Sequence, residues 1–373
     1  MKLFYVANLR LPTEKAHGIQ IMKMCEALAL NGCDVQLCCP WRFNDIIDDP
    51  FEYYNIKKIF TIKKIPCLDL IPLDGLFGNF SFWVQTFSFL IFFKIYLFFQ
   101  EKGIVYTREQ FVGLLFNNFV LEVHDLPLKI KILHQKIWQK AKKMIVLTSI
   151  AKIRLLETGL SEEKIMIAAD GVDIQDFDVS ISKDDARVKL GLPRDKRIIM
   201  YSGSFFRYGW KGVDILLSSI QYFDSNYVFV LLGCDEKEKE DIEKKYKLDN
   251  LWLVTRRPHR EMAIYLKSAD VLILPNKSGD ITSENYTSPL KLFEYMAANR
   301  PIVASDLPSI REILNERNAI LIKPDDPFEI VKGIQRVFME RDSADILSEQ
   351  AFMEVKKYSW EKRARNILDF IIG

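Results

Sequence analysis

From its second residue the chain alternates short apolar runs with amphipathic stretches. "KLFYVAN" is apolar and β-leaning, "HGIQIMKMCEALALNG" sets Ile21, Cys25 and Leu28 on one helical face, and "CDVQLCCP" reads as a second strand. Gly32 follows that helix as a C-terminal stop. "GIVYTR" and "KKMIVLTS" read as later strands of the same sheet. The stretch "ADGVDIQDFDVSISKDDARVKLGLPRDK" has no long apolar period and reads as a connection between domains. From Arg197 the alternation restarts with the strands "RIIMYSGS", "YVFVLLGC", "LWLVT", "DVLILPN", "PIVAS" and "AILIKP". The helices "KGVDILLSSIQYF", "EKEKEDIEKKY", "REMAIYLKSA" and "FEIVKGIQRVFME" lie among and after them. Strands joined through helices make parallel sheets with right-handed crossovers. The pattern predicts an α/β chain of two tandem doubly wound, Rossmann-like domains, with ligands at the carboxyl ends of the strands and in the cleft between domains.

Length agrees, because 373 residues are too many for one compact core. The predicted boundaries are 1–180 for the N-terminal domain and 181–355 for the C-terminal domain. Residues 356–373 ("KKYSWEKRARNILDFIIG") are predicted to form a terminal helix that packs back on the first domain. With 52 basic against 50 acidic residues the net charge is +2, which gives no overall electrostatic case for nucleic acid. Six cysteines without Cys-x-x-Cys or zinc spacing read as free thiols of a reducing cytoplasm. "MKLFYVANLR" meets Asn8 and Arg10 before a signal-peptide core could form, so the expected location is cytoplasmic.

The segment "FSFWVQTFSFLIFFKIYLFFQ", residues 80–100, approaches the roughly 20 residues needed to cross a bilayer. It contains Gln85 and Lys94, and the basic stretch "KKIFTIKK" lies close by in sequence. Three readings stand: an aromatic helix buried in the domain, a helix lying in the membrane interface, or a span.

Candidate chemistry concentrates in "TSPLKLFEYMAANRPIVASD", Thr287 to Asp306. Ser288 is expected as the N-cap and Pro289 as the first helical residue, with the helix stopping near Asn299 ahead of Pro301. This N-terminus follows a strand through a loop, so its N–H groups and positive dipole suit a phosphate. Glu294 lies about 9 Å further along, near the distance from a diphosphate to a ribose. It is either a ribose-binding carboxylate or a surface glutamate on an amphipathic helix.

"SPLKLFEYMAANRPIVASDLPSIREI" resembles the signature helix and following strand of the family-4 glycosyltransferases, retaining enzymes of the GT-B fold. "HGIQIMKMCEALALNGCDV", "VYTRE", "LEVHDLP", "ADGVDIQDF", "YSGSFFRYGWKGVDILL" and "SADVLILPN" resemble other segments of that family, so the likeness covers most of the chain. It implies that Glu294 binds the nucleotide ribose and that the backbone at Ser288, Pro289 and Leu290 lies against the diphosphate. It further implies that Lys211, with Arg207, neutralises the leaving diphosphate. The family spaces its arginine five or six residues before the lysine, where this chain has Phe206 and Phe205. The family also has an acid eight residues before Glu294, where this chain has Tyr286, with Glu284 two residues away. His124 is implied at the donor sugar. Gly18 is implied near the diphosphate, and the neighbouring His17 is either an acceptor contact or a surface histidine.

The activity implied is transfer of a sugar, with retention, from a UDP- or GDP-linked donor to a hydroxyl on a saccharide or lipid-linked acceptor, without a resident cofactor. No paired acids suit double displacement, so front-side attack is expected. Short acidic patterns are frequent and the match "IDDP" is not placed at a second-domain strand end, so no essential metal is expected. The aromatic segment and its basic neighbour fit an acceptor reached at the inner membrane face. Alternatives are a GT-B sugar-nucleotide epimerase and a non-catalytic, membrane-associated nucleotide-sugar-binding module. A dehydrogenase is disfavoured because no Gly-x-Gly-x-x-Gly follows either first strand.

Overall fold

The computed structural model describes residues 1–73, 78–205 and 209–373. They form two compact units, residues 1–169 with 360–373, and residues 170–359.

The first unit is built on seven parallel strands: β1 (Lys2–Val6), β2 (Asp34–Pro40), β3 (Thr61–Ile65), β4 (Ile104–Thr107), β5 (Val120–Val123), β6 (Lys143–Val146) and β7 (Ile165–Ile167). Their order is β3-β2-β1-β4-β5-β6-β7, so the sheet is wound outward in both directions from β1. Helix α1 (Ala16–Leu30) crosses from β1 to β2, and the C-terminal helix Trp360–Ile372 packs against it. Strands β1 and β5 are almost wholly buried because helices cover both faces of a parallel sheet.

The pattern reading missed β3, β5 and β7, and for β3 and β7 the reason is physical. Both are edge strands, one rich in exposed lysine and the other three residues long, so neither carries the continuous apolar run of a central strand. Helix α2 (Asn79–Phe98) holds most of the aromatic segment and buries a mixed face, with Phe89, Leu90 and Phe93 inside beside polar residues of its first half. Ser81, Gln85 and Thr86 face inward, whereas Phe80, Phe82, Trp83, Phe87, Ile91, Phe92, Ile95 and Phe98 are exposed. Asn8 meets the inward polar groups: its amide donates to Thr86 Oγ1 at 3.0 Å, and its carbonyl accepts from Gln85 Nε2 at 2.9 Å. The helix is long and apolar enough to cross a membrane, with 39% of its most apolar window buried.

The second unit holds β8 (Arg197–Ser202), β9 (Tyr227–Cys234), β10 (Leu251–Thr255), β11 (Val271–Leu274), β12 (Ile302–Ser305) and β13 (Ile320–Ile322). All pairings are parallel, in the order β10-β9-β8-β11-β12-β13. The order reverses between β8 and β11, the switch point where doubly wound sheets open a crevice for ligand. Every residue of β9 is buried. The stretch read as a connection is folded onto this unit: helix Lys183–Leu190 is capped by Ser182, and the buried Arg187 donates to Asp270 at 2.7 Å and to the Ser268 carbonyl at 2.9 Å.

Candidate functional site

At the switch point of the second unit, β8 ends at Ser202 and the chain turns at Gly203 with φ of 127°. A Cβ on Gly233 would lie 2.4 Å from the Gly203 carbonyl oxygen, so the turn after β8 meets the end of β9 only because Gly233 lacks one. Gly212, at φ 67°, opens helix α3 (Val213–Ile220), and a Cβ there would fall 1.7 Å from the Pro275 carbonyl oxygen. No other residue fits. Lys211 immediately precedes it and donates to Ser204 Oγ at 2.6 Å, which places its amine on the turn that follows β8.

Helix α4 (Leu290–Ala297) carries the signature motif. Its N-cap is Pro289, not Ser288: the Ser288 hydroxyl instead accepts from the Asp170 N–H at 3.0 Å. Pro289 offers no side-chain acceptor, so no cap bond competes with an anion at the first turn. The helix ends as expected, with Asn299 left-handed at φ 52°. Tyr295 fixes α4 to β8, its hydroxyl accepting from the Ser202 N–H at 2.8 Å. Leu292, Phe293, Tyr295 and Met296 are buried, which leaves Lys291 and Glu294, three residues apart, on one face.

Glu294 is not a solvated surface acid. Its side chain is 12% exposed, and Oε1 lies 2.8 Å from His259 Nε2. The His259 ring meets the buried Phe177 edge-on at 6.2 Å. Lys291 is held between opposing influences. Burial pushes its amine well below the ordinary lysine range, nearby Lys211 adds to that, and Glu294 opposes it. Lys211, Lys291 and Glu294 thus form one electrostatic group at the ends of β8 and α4. Arg207, expected beside Lys211, lies outside the described residues. Tyr286 is buried in a π-helical turn (Thr282–Tyr286), and Glu284 accepts from the Gly279 N–H at 2.8 Å. Glu284 therefore ties its own loop.

In the first unit His124 follows β5, and its Nε2 lies 2.5 Å from Glu122 Oε1. Burial, helped by Arg108 and opposed by Glu122, pushes the imidazole down to about 4, so the ring is neutral at physiological pH. A neutral ring that donates Nε2–H to a carboxylate keeps Nδ1 as an acceptor. Burial works against ionisation of Glu122, but Arg363 and His124 outweigh it and hold its carboxyl well below the usual range. Arg363, on the C-terminal helix, reaches Glu122 Oε1 at 2.9 Å and the Ala169 carbonyl at 2.8 Å, and the Tyr106 hydroxyl donates to Glu122 Oε2.

Gly18 lies in the first turn of α1, with its N–H donating to the Lys15 carbonyl at 2.9 Å. A Cβ there would collide with the Tyr54 hydroxyl oxygen at 2.2 Å, so packing alone requires glycine. His17, beside it in α1, is half-buried.

Sequence reading missed His259, Lys291 and Arg363. His259 ("RRPHRE") and Arg363 act across long sequence separations and carry no periodic signal. Lys291 was legible as the partner of Glu294 on the polar face of an otherwise apolar helix.

Residues 182–353 match the family model described as glycosyl transferases group 1. The chain is 26% identical over 274 residues to a D-inositol 3-phosphate glycosyltransferase of Corynebacterium urealyticum, covering 68% of this chain and 62% of that one. It thus spans less than two thirds of that relative's length. Among solved structures, sucrose-phosphate synthase from Thermosynechococcus elongatus matches with a TM-score of 0.79 and 19% identity, over 99% of this chain and 97% of that one. Anabaena Alr3699/HepE, solved in complex with UDP and glucose, matches with a TM-score of 0.76 and 13% identity over the whole of both chains. At such identities the likeness is one of fold. Residues 182–353 are thus similar to the glycosyl transferases group 1 family, and the chain has the two-sheet α/β architecture of the GT-B fold.

Proposed function

We propose that this protein is a retaining, metal-independent glycosyltransferase that moves a sugar from a UDP- or GDP-linked donor to a hydroxyl on a lipid-linked glycan or cell-surface polysaccharide precursor. The observation that carries this reading is the arrangement at the switch point of the second unit. Lys211 stands on the turn after β8, the α4 N-terminus has no side-chain cap, and Glu294 waits one turn along the helix. A diphosphate suits the cation and the helix end, and a ribose diol suits the carboxylate. The backbone at Ser288, Pro289 and Leu290 faces the diphosphate in this reading. The UDP in the Anabaena structure and the family-model match of residues 182–353 support a nucleotide-sugar donor.

In the reaction the bond between the anomeric carbon and the diphosphate oxygen breaks, and the acceptor oxygen bonds to that carbon on the same face. The acceptor proton passes to the leaving phosphate. Lys211 stabilises the charge that builds on the phosphates, so no metal is required. The neutral His124 offers Nδ1 to a sugar hydroxyl. Donor turnover in the presence of EDTA, scored for the anomeric configuration of the product by NMR, tests this reading. Loss of activity in EDTA or an inverted product would contradict it.

The acceptor class rests on α2. Its outward aromatic face lies beside the exposed Lys63 and Lys64 of edge strand β3, and Lys63 Nζ sits 5.5 Å from the Tyr96 ring. An apolar face flanked by lysines suits the interfacial region of an anionic leaflet, and we place the protein on the cytoplasmic face of a membrane. The protein is expected to float with vesicles containing anionic phospholipid, and a double variant Ile91→Asp, Ile95→Asp is expected to remain behind with its melting temperature unchanged. Wild-type protein that ignores anionic vesicles would overturn the membrane assignment.

A further inference from the structure

Lysine side chains ordinarily bury the stem and leave the amine in water. Lys291 does the reverse. The residue is partly exposed, yet its amine is sealed from solvent and has no hydrogen-bond acceptor among the described residues. Nζ lies 3.9 Å from the centroid of the buried Tyr201 ring, and a Cβ on Gly203 would stand 3.1 Å from it. Among the described residues this amine meets the face of an aromatic ring and no acceptor, and burying a polar group in that way is costly unless something else recovers the loss. Three features that attract an anion surround this amine: the α4 N-terminus, the turn at Gly203, and Lys211 on Ser204.

We propose that Lys291 is an anion-binding residue of the nucleotide site, its amine held ready to meet a phosphate of the donor diphosphate alongside Lys211. The proposal rests on the nucleotide reading above and gives that site a second lysine. The unbranched four-carbon stem lets the amine swing to the ligand while its base stays fixed on the helix. An incoming phosphate supplies the acceptor that the described residues do not, so binding converts a buried uncompensated group into a charge-assisted hydrogen bond.

The charged groups facing Lys291 are Lys211 from the turn before α3 and Glu294 from α4 itself, with the Tyr201 phenol on β8. Burial holds the amine well below the ordinary lysine range, and a bound phosphate raises it. Diphosphate binding therefore takes up a proton, and affinity falls as pH rises. Between pH ~7 and ~9 the phosphates are already ionised, because their second pKa lies near 6, so they do not mask this dependence.

The test uses the full chain with Lys291→Met, titrated calorimetrically with UDP, GDP and UMP. For whichever diphosphate the wild type binds, affinity is expected to fall at least tenfold and to lose most of its decline between pH ~7 and ~9. The loss is expected to be smaller for UMP than for UDP if UDP is the ligand. The melting temperature of the free protein is expected to stay the same or rise, because an uncompensated buried amine has been removed. Unchanged diphosphate affinity in a folded variant overturns the role of Lys291 and leaves the nucleotide reading standing. Weakened binding accompanied by a lower melting temperature shows a merely structural lysine and also overturns it. A wild type that binds neither UDP nor GDP removes both readings.

Discussion

Replacing Arg363 with methionine is expected to cost the first unit about 3–5 kcal/mol, the range for a buried ion pair broken from one side. Arg363 and Glu122 are 3% and 2% exposed at the side chain, and their charged atoms lie 2.9 Å apart. Removing the guanidinium leaves a carboxylate in the core with Tyr106 and His124 as its hydrogen-bond partners, and it frees the Ala168 and Ala169 carbonyls. Hydrogen exchange of β5 under native conditions is the direct readout, since opening of that strand reports the first unit alone. A second change, Glu122→Gln, is expected to recover part of the loss by removing the stranded charge. A loss below about 1 kcal/mol in the single variant, within the usual range of surface substitutions and their neighbours, would contradict the role of the pair.

The same cluster sets the acid limit of the first unit. The carboxyl of Glu122 is held below its unfolded value, so its contribution is present above that value and is lost as pH falls through the folded one. His124 has its folded value pushed down to about 4, so folding favours the neutral ring. Its contribution is complete above the unfolded value of about 6.5 and is lost as pH drops from there toward the folded one. Stability should therefore begin to decline below about pH 6.5 in the wild type. In a His124→Asn variant that upper part of the decline should disappear.

Lys211→Ala is expected to slow donor turnover by about 100- to 1000-fold, the range seen when one preorganised donor to a developing charge is removed. The amine is already on the Ser204 hydroxyl at the end of β8, so it is positioned before any donor arrives. The deletion should act on turnover at saturating donor more than on the fold, since Lys211 belongs to a short surface turn. A variant within threefold of wild type would assign the charge stabilisation to other groups.

Much of the second unit was legible because its strands are buried on both faces and so spell continuous apolar runs; β8, β9, β11 and β12 are the plainest. The site was legible to the degree that it is local. Lys211 beside Gly212, and Glu294 one turn into an apolar helix, are both patterns within a few residues. What escaped depends on distant partners. Ser288 reads as an N-cap until Asp170 claims its hydroxyl from 118 residues away. The residues 80–100 read as a buried helix, an interfacial helix or a span, and the inward turn of Gln85 and Thr86 depends on Asn8 in a loop more than 70 residues earlier. The predicted domain break at 180 lay inside a stretch that Arg187 anchors to Asp270, whereas the units divide after Ala169.

The measurement closest to the central claim is calorimetric binding of UDP, GDP and ADP to the wild-type chain beside Glu294→Ala. Micromolar binding of UDP or GDP is expected, weakened at least tenfold, about 1.4 kcal/mol, when the Glu294 carboxylate is removed. A folded wild type that binds none of the three would contradict that claim.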